Sequence, residues 1–298
     1  NAQVGREVIE KEFIIDEKVV KKQLSLEIKP IDYGDEKYYV GIFNDVSDVL
    51  ELEDRVYFQY EKMKRDLLFA RGLQTSMLPS DNYIGPLKFS YIFKPCETLG
   101  GDFLDFYKID RHNIAFVIAD VAGHGITSSM FTMFLYSMLD RTQKSPGLLL
   151  EGAFEEFSKF NVTSETYITM LAAVINTRNK MVTFANAGFT NQPAVARGNE
   201  VEKIDVTGIP ISNWVNEAVY EEKKVRFKSG DRLIFFSDGI TEMRTETSSF
   251  IGGDYLYSTL ADRDQDPEKL IQGVFSSSNE DNNYIINDDI TIALVDYR

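Results

Sequence analysis

Four short motifs place acidic side chains where an apolar run ends or begins. Ile114–Ala119 runs into Asp120, followed by Val121-Ala122-Gly123-His124-Gly125. Asp231–Ser237 runs into Asp238-Gly239. Asp288-Asp289 stands directly before Ile290–Val295, and Gly100-Gly101-Asp102 precedes Phe103 and Phe106. Glycine lets a backbone turn tightly and approach an ion closely. Carboxylates gathered at buried strand ends repel one another unless a counter-charge stands between them. Hard divalent cations supply it: Mg²⁺ and Mn²⁺ take oxygen ligands in octahedral geometry and keep several waters. Two such ions close together lower the pKa of a bridging water and hold a phosphoryl oxygen in line. The set therefore predicts a carboxylate-only dinuclear hydrolase site. A single strand-end aspartate has no such meaning. Tyr39–Asn44 also runs into one, Asp45, to which no chemistry is assigned.

These aspartates need elements to position them. Strand-like segments lie at 86–93, 103–109, 113–119, 168–175, 180–186, 225–227, 231–236 and 289–295, and helical segments near 126–143, 147–160 and 266–277. They do not alternate regularly, which predicts an α+β domain over 79–298 with mainly antiparallel sheets. Residues 47–78 have a helical pattern. Val49, Val56, Tyr60, Met63, Leu67, Ala70 and Met77 fall at steps of three, four or seven, with Glu53 and Gln74 at the two remaining positions of that frame. Such a seam suits a dimeric coiled coil, or a helix packed on its own domain. Pro79 stops it. Residues 1–46 read as strands, at Glu12–Ile15, Gln23–Ile28 and, after the turn Asp32-Tyr33-Gly34-Asp35, Tyr38–Phe43. Three strands without helices make a poor independent domain, so this segment is read as the end of one.

Composition narrows the function further. The chain has 298 residues, 43% of them hydrophobic, enough for a sizeable core. Its formal charge of −15 repels phosphate backbones and excludes nucleic acid as a partner. No run of 18 apolar residues suggests a spanning helix or membrane contact, and the N-terminus does not read as a signal peptide. One cysteine, Cys96, rules out a disulfide framework or a zinc cluster and reads as a small filler. The chain is read as cytoplasmic and, since it begins with Asn rather than Met, as a piece of a longer protein.

In their order and spacing the motifs resemble the bacterial branch of the metal-dependent protein serine/threonine phosphatases (the PPM family), which includes stress-response and sporulation phosphatases. The matching stretches are ARGLQTSMLP (70–79), LGGDFLDF (99–106), IADVAGHG (118–125), ANAG (185–188), TGIPI (207–211), SGDRLIFFSDGITE (229–242) and DDITIALV (288–295). The resemblance covers about 65–298 and implies an αββα fold, an antiparallel β-sandwich flanked by helices. It implies Asp102, Asp120 and Asp238 as metal carboxylates, Asp288 in preference to Asp289 as another, and the backbone carbonyl of Val121 as a further ligand. Asp120 would bridge two Mn²⁺ or Mg²⁺ ions; a third ion is compatible with the family. His124 matches the group that protonates the leaving seryl or threonyl oxygen, a task suited to a side chain titrating near neutrality. Two departures stand out. Phe189 follows ANAG where this branch usually has histidine, and the phosphate-binding arginine of other branches has no match.

Residues 1–46 resemble the last strands of a PAS sensor domain, with YYVGIFNDVSDV at its exit. The helical linker would then carry a signal, with Ala70, Leu73 and Met77 on a switch helix whose docking positions Asp102 or Asp120. The implied function is a phosphoserine/phosphothreonine protein phosphatase, homodimeric through the linker, acting on a phosphorylated anti-sigma-factor antagonist. The alternatives are a catalytically silent partner-binding module of the same fold and hydrolysis of a small phosphoester. Intact metal motifs weigh against the first, and cleft depth discriminates the second.

Overall fold

The structure is a computed structural model that describes residues 7–16, 18–34, 36–123, 125–160, 165–198, 200–243, 252–262, 268–270, 272–273 and 287–298. The chain divides into two compact units, Asn1–Leu68 and Phe69–Arg298. In the first, β1 (Glu7–Ile15), β2 (Lys18–Tyr33) and β3 (Glu36–Asp45) form an antiparallel sheet in that order. Asp45 then sets the entry into α1 (Ser47–Met77). Its carboxylate accepts from Ser47 N at 3.0 Å and Ser47 Oγ at 2.7 Å, and Lys22 Nζ stands 2.9 Å away. Along α1, Val49, Val56, Tyr60 and Met63 are all more than half exposed.

The second unit contains β4 (Tyr83–Ile84), β5 (Leu87–Lys94), β6 (Asp102–Lys108), β7 (Asn113–Val121), α2 (Ile126–Met138), α3 (Pro146–Ser158), β8 (Ile168–Asn176) and β9 (Met181–Ala187). There follow β10 (Ala194–Arg197), β11 (Glu200–Lys203), β12 (Lys223–Arg226), β13 (Asp231–Phe236), α4 (Gly239–Glu242), α5 (Gly253–Ala261) and β14 (Ile290–Tyr297). The strands form two antiparallel sheets, in the orders β11-β10-β13-β14-β5-β4 and β12-β9-β8-β7-β6. Side chains alternate faces along a strand. Leu104, Phe106, Phe116, Ile118, Leu233, Phe235, Ala293 and Val295 fill the core between the sheets. The opposite phase of β6 and β7, including Phe103, Val117 and Ala119, packs with α2 and α3. That of β13 and β14, including Ile234, Phe236 and Ile292, packs with α5. The result is the expected α–β–β–α layering. Phe89 stacks on Phe106 and Phe116 on Phe235, each pair with ring centroids 4.1 Å apart. Burying one such ring contributes roughly 1.5–3 kcal/mol.

The eight strands expected in this domain are all present. The short strands β4, β10 and β11 and the helix α5 carry too little periodicity to stand out in the sequence. Helix α2 ends at Met138 rather than 143 because Asp140 Oδ1 accepts from Thr142 N at 2.9 Å and Thr142 Oγ1 at 2.6 Å, which turns the chain. The helix expected at 266–277 lies largely outside the described residues. Arg232, 1% exposed, ties α5 to its sheet. It pairs with Asp296 (Nε to Oδ1, 2.7 Å), and its Nη1 donates to the carbonyls of Leu260 and Asp262 at 3.0 and 2.9 Å.

Candidate metal centre

Strand phase carries the acidic residues to one place. The β6–β7 register sets Asp102 directly opposite Asp120, and directly opposed residues share a face. Their phase is that of Leu104 and Ile118, so both lie on the face toward the other sheet. In that sheet the register pairs Phe236 with Ile292. The end of β13 carrying Asp238 therefore lies beside the start of β14, which Asp288 and Asp289 precede. Gly239 allows this approach: a Cβ there would stand 2.0 Å from the Asp289 carbonyl oxygen.

The electrostatics follow from that convergence. Asp102, 2% exposed, is held well above the ordinary carboxylate range by burial and then by the charge of Asp120. Asp120 is pushed up to about 8 by burial and then by Asp238, Asp288, Asp289 and Glu242. Asp238 is raised by burial and then by Asp288. Asp45 shows the opposite case. Hydrogen bonds from Ser47 and Lys22 lower it to about 2. One strand-end aspartate is a cap with partners; the others press negative charge on one another. Among the described residues, no three acidic, histidine or cysteine side chains are drawn together tightly enough to hold an ion as they stand. The donor set is nonetheless all oxygen and largely buried, the chemistry that hard divalent cations take.

The remaining expected residues fall as follows. Asp288 is half-buried, and its Oδ1 accepts from Asp289 N at 2.8 Å. Asp289 is 2% exposed and serves a loop: Oδ1 accepts from Cys96 N at 2.7 Å and Oδ2 from Gly101 N. The carbonyl oxygen of Val121 stands 2.9 Å from where a Cβ on Gly101 would be. His124 lies outside the described residues. Ala70 and Met77 are half-buried, but Leu73 is 43% exposed. The buried residue of that turn is Gln74, at 5%. Its Nε2 donates to Gly100 O at 2.7 Å and Thr132 Oγ1 at 3.1 Å, and its Oε1 accepts from Gly100 N at 3.1 Å.

Three residues were missed by sequence reasoning. Gln74 had a signal, as a polar residue in an apolar seam. Ser237 and Thr291 also had one, since each lies in phase with the inner core of its strand. Asp102 Oδ2 accepts from Thr291 Oγ1 at 2.6 Å and from Ser237 Oγ at 2.8 Å. The ANAG motif braces a loop. Asn186 Nδ2 donates to Phe189 O at 3.1 Å and Val206 O at 2.9 Å, while Phe189 N donates to Asn186 Oδ1 at 2.7 Å. Phe189 itself packs in the inner core, where a histidine would need polar partners. Burial and then Asp289 push the Cys96 thiol up to about 11, which keeps it from thiolate chemistry. A polar cleft of about 580 Å³ is lined by Ser76–Asp81, Tyr83–Gly85, Asp105–Lys108, Tyr136 and Arg141, and by none of the carboxylates Asp102, Asp120, Asp238, Asp288 and Asp289.

Similarity to known proteins gives the chain a family and its fold relatives. The Stage II sporulation protein E (SpoIIE) family matches residues 110–298, more than half of the chain, and the chain belongs to that family. Its fold is that of PP2C phosphatase domains. It is 24% identical over 245 residues to the phosphoserine phosphatase RsbU of Bacillus subtilis, covering 79% of this chain and 71% of RsbU. It is 25% identical over 213 residues to the phosphoserine phosphatase RsbP of the same organism, covering 68% of this chain and only half of RsbP. The SiaA PP2C domain of Pseudomonas aeruginosa superposes with a TM-score of 0.71 at 19% identity, over 80% of this chain and 99% of that domain. RsbX, solved in complex with magnesium, shares the fold with a TM-score of 0.55 at 14% identity, over 72% of this chain and 96% of RsbX.

Proposed function

We propose that this chain is a metal-dependent phosphoserine/phosphothreonine protein phosphatase. The observation that carries the reading is the convergence of Asp102 and Asp120 from one sheet with Asp238 and Asp288 from the other, each of the first three raised by burial and by its carboxylate neighbours. Two Mn²⁺ or Mg²⁺ ions, or three, would be held by these four side chains and the Val121 carbonyl. Bound ions supply a water of lowered pKa as nucleophile and neutralise the phosphoryl oxygens. Asp120, which feels the charge of carboxylates from the opposite sheet, is the residue to which we assign contact with both ions. Ser237 and Thr291 hold the Asp102 carboxylate by their hydroxyls. His124 is assigned protonation of the leaving oxygen by its motif. The similarity to two phosphoserine phosphatases and to a fold relative that binds magnesium supports the reading.

The substrate favoured by the motifs is a phosphorylated anti-sigma-factor antagonist. The N-terminal strands fit the end of a PAS-like sensor, and α1 fits a coiled-coil linker through which two copies pair and a signal reaches Gln74. The proposed domains are 1–46, 47–78 and 79–298. The loose spacing of the carboxylates is the one observation favouring the silent binding module. Mn²⁺-dependent phosphate release from a phosphoserine-bearing antagonist protein separates the two. Release by the wild type and none by Asp238→Asn is expected. Release by Asp238→Asn equal to wild type would remove the metal assignment, and none by the wild type at millimolar Mn²⁺ would favour the silent module.

A further inference from the structure

Both oxygens of the Asp289 carboxylate are spent on backbone. Oδ1 accepts from Cys96 N and Oδ2 from Gly101 N, so one buried side chain spans the loop that leads into Asp102. The loop packs flat against it. A Cβ on Gly100 would stand 2.9 Å from Asp289 Oδ2 and 3.2 Å from Oδ1. Two residues further along, in the same strand phase as the inner core, Thr291 Oγ1 donates to the Asp102 carboxylate itself. From the neighbouring strand, Ser237 Oγ reaches Asp102 Oδ2, lies 3.2 Å from the Asp289 carbonyl oxygen, and accepts from Thr291 N at 2.9 Å. These contacts link β13 and β14 of one sheet to the start of β6 in the other.

We infer that Asp289 is a positioning residue rather than a metal ligand: with Ser237 and Thr291 it brackets the Gly100–Gly101 loop and the Asp102 carboxylate across the two sheets. The inference deepens the proposed phosphatase reading and rests on it for the role of Asp102. It divides the neighbouring acids by task. Asp288, half-buried, is left to bind an ion, whereas Asp289 fixes where Asp102 stands. Outer-shell partners of this kind orient a ligand without touching the ion, and their loss costs about 10–100-fold in metal affinity. An asparagine at 289 has one acceptor oxygen. It keeps one of the two amides and turns an N–H toward the other, so the bracket should open on one side.

The test titrates Mn²⁺ calorimetrically into wild type, Asp289→Asn, Thr291→Val and Asp288→Asn, and follows amide hydrogen exchange at Cys96 and Gly101 without metal. Asp289→Asn and Thr291→Val should bind as many ions as wild type, each about 10–100-fold more weakly, while Asp288→Asn should lose one. Exchange at Cys96 or Gly101 should rise about ten-fold or more in Asp289→Asn, the size expected from losing roughly 1.4 kcal/mol of protection. Loss of one equivalent in Asp289→Asn alone would make it a ligand and overturn the inference. So would wild-type affinity together with wild-type exchange. If Asp289→Asn fails to fold, Thr291→Val and Ser237→Ala decide, and wild-type affinity in both overturns the bracket. A wild type that binds no Mn²⁺ counts against the phosphatase reading, and the exchange readout then decides the bracket by itself.

Discussion

Gln74 and Gly100 exchange a pair of hydrogen bonds: the amide nitrogen donates to the Gly100 carbonyl at 2.7 Å, and the amide oxygen accepts from Gly100 N at 3.1 Å. This couples the last turns of α1 to the glycine pair immediately before Asp102. The side chain is 5% exposed, so neither partner has water as a ready substitute.

Replacing Gln74 with leucine should therefore strand both Gly100 groups at a cost of about 1–3 kcal/mol. The expected outcome is a folded protein with a raised Mn²⁺ requirement, read by urea unfolding beside a metal titration. Leu73, 43% exposed, should tolerate glutamate in a single chain. If Leu73→Glu raises the metal requirement more than Gln74→Leu does, the coupling runs through the apolar face of the helix instead.

Asp105 gives a pH signature. It lies on β6 in the phase opposite to Asp102 and is 3% exposed. Burial outweighs the Arg141 guanidinium 2.6 Å away and raises its carboxyl to about 6. Above the unfolded value of 3.8 the native state holds this proton more tightly than the unfolded chain. Its contribution to stability is thus fully present below that value and is lost as pH rises through about 6. Relative to Asp105→Asn, the wild type should gain roughly 1–3 kcal/mol as pH falls through this window, measured by urea unfolding. Parallel pH profiles for the two proteins would contradict the assignment.

Phe189 tests the departure from the usual ANAG-histidine pattern. It is 6% exposed and lies in the core between the sheets. Phe189→His should cost about 2–4 kcal/mol, from lost packing and a buried imidazole without partners. The Mn²⁺ midpoint should not move. A stabilised variant, or a shifted midpoint, would show that this loop reaches the metal centre.

The seam on α1 predicts association. Val56 and Met63 are 60% and 55% exposed in the single chain, so lysine at both should leave the fold intact. Sedimentation equilibrium should find a dimer for the wild type and a monomer for the double variant. A monomeric wild type would remove the proposed linker dimer.

The sequence by itself determined the longer strands of the second unit, their phase and hence the acids that end them. Side-chain period two and strand-end glycines are local properties; they sufficed to predict an α+β domain with mainly antiparallel sheets and to single out Asp102, Asp120, Asp238 and the pair Asp288-Asp289, while the layering and the preference for Asp288 came from the family resemblance. Three things only the tertiary structure decided. Asp288 and Asp289 are neighbours of identical type, and only the packing of the Cys96–Gly101 loop gives Asp289 two backbone amides to hold. Asp45 and Asp120 both end apolar runs, yet one is a solvated cap and the other faces acids from the opposite sheet. Gln74 was legible as a break in a seam, but its partner, Gly100, lies 26 residues away and could not be read from periodicity. The reason is common to all three. Local pattern fixes which face a side chain takes, whereas its hydrogen-bond partners and its electrostatic neighbours come from chain segments that only the fold brings together.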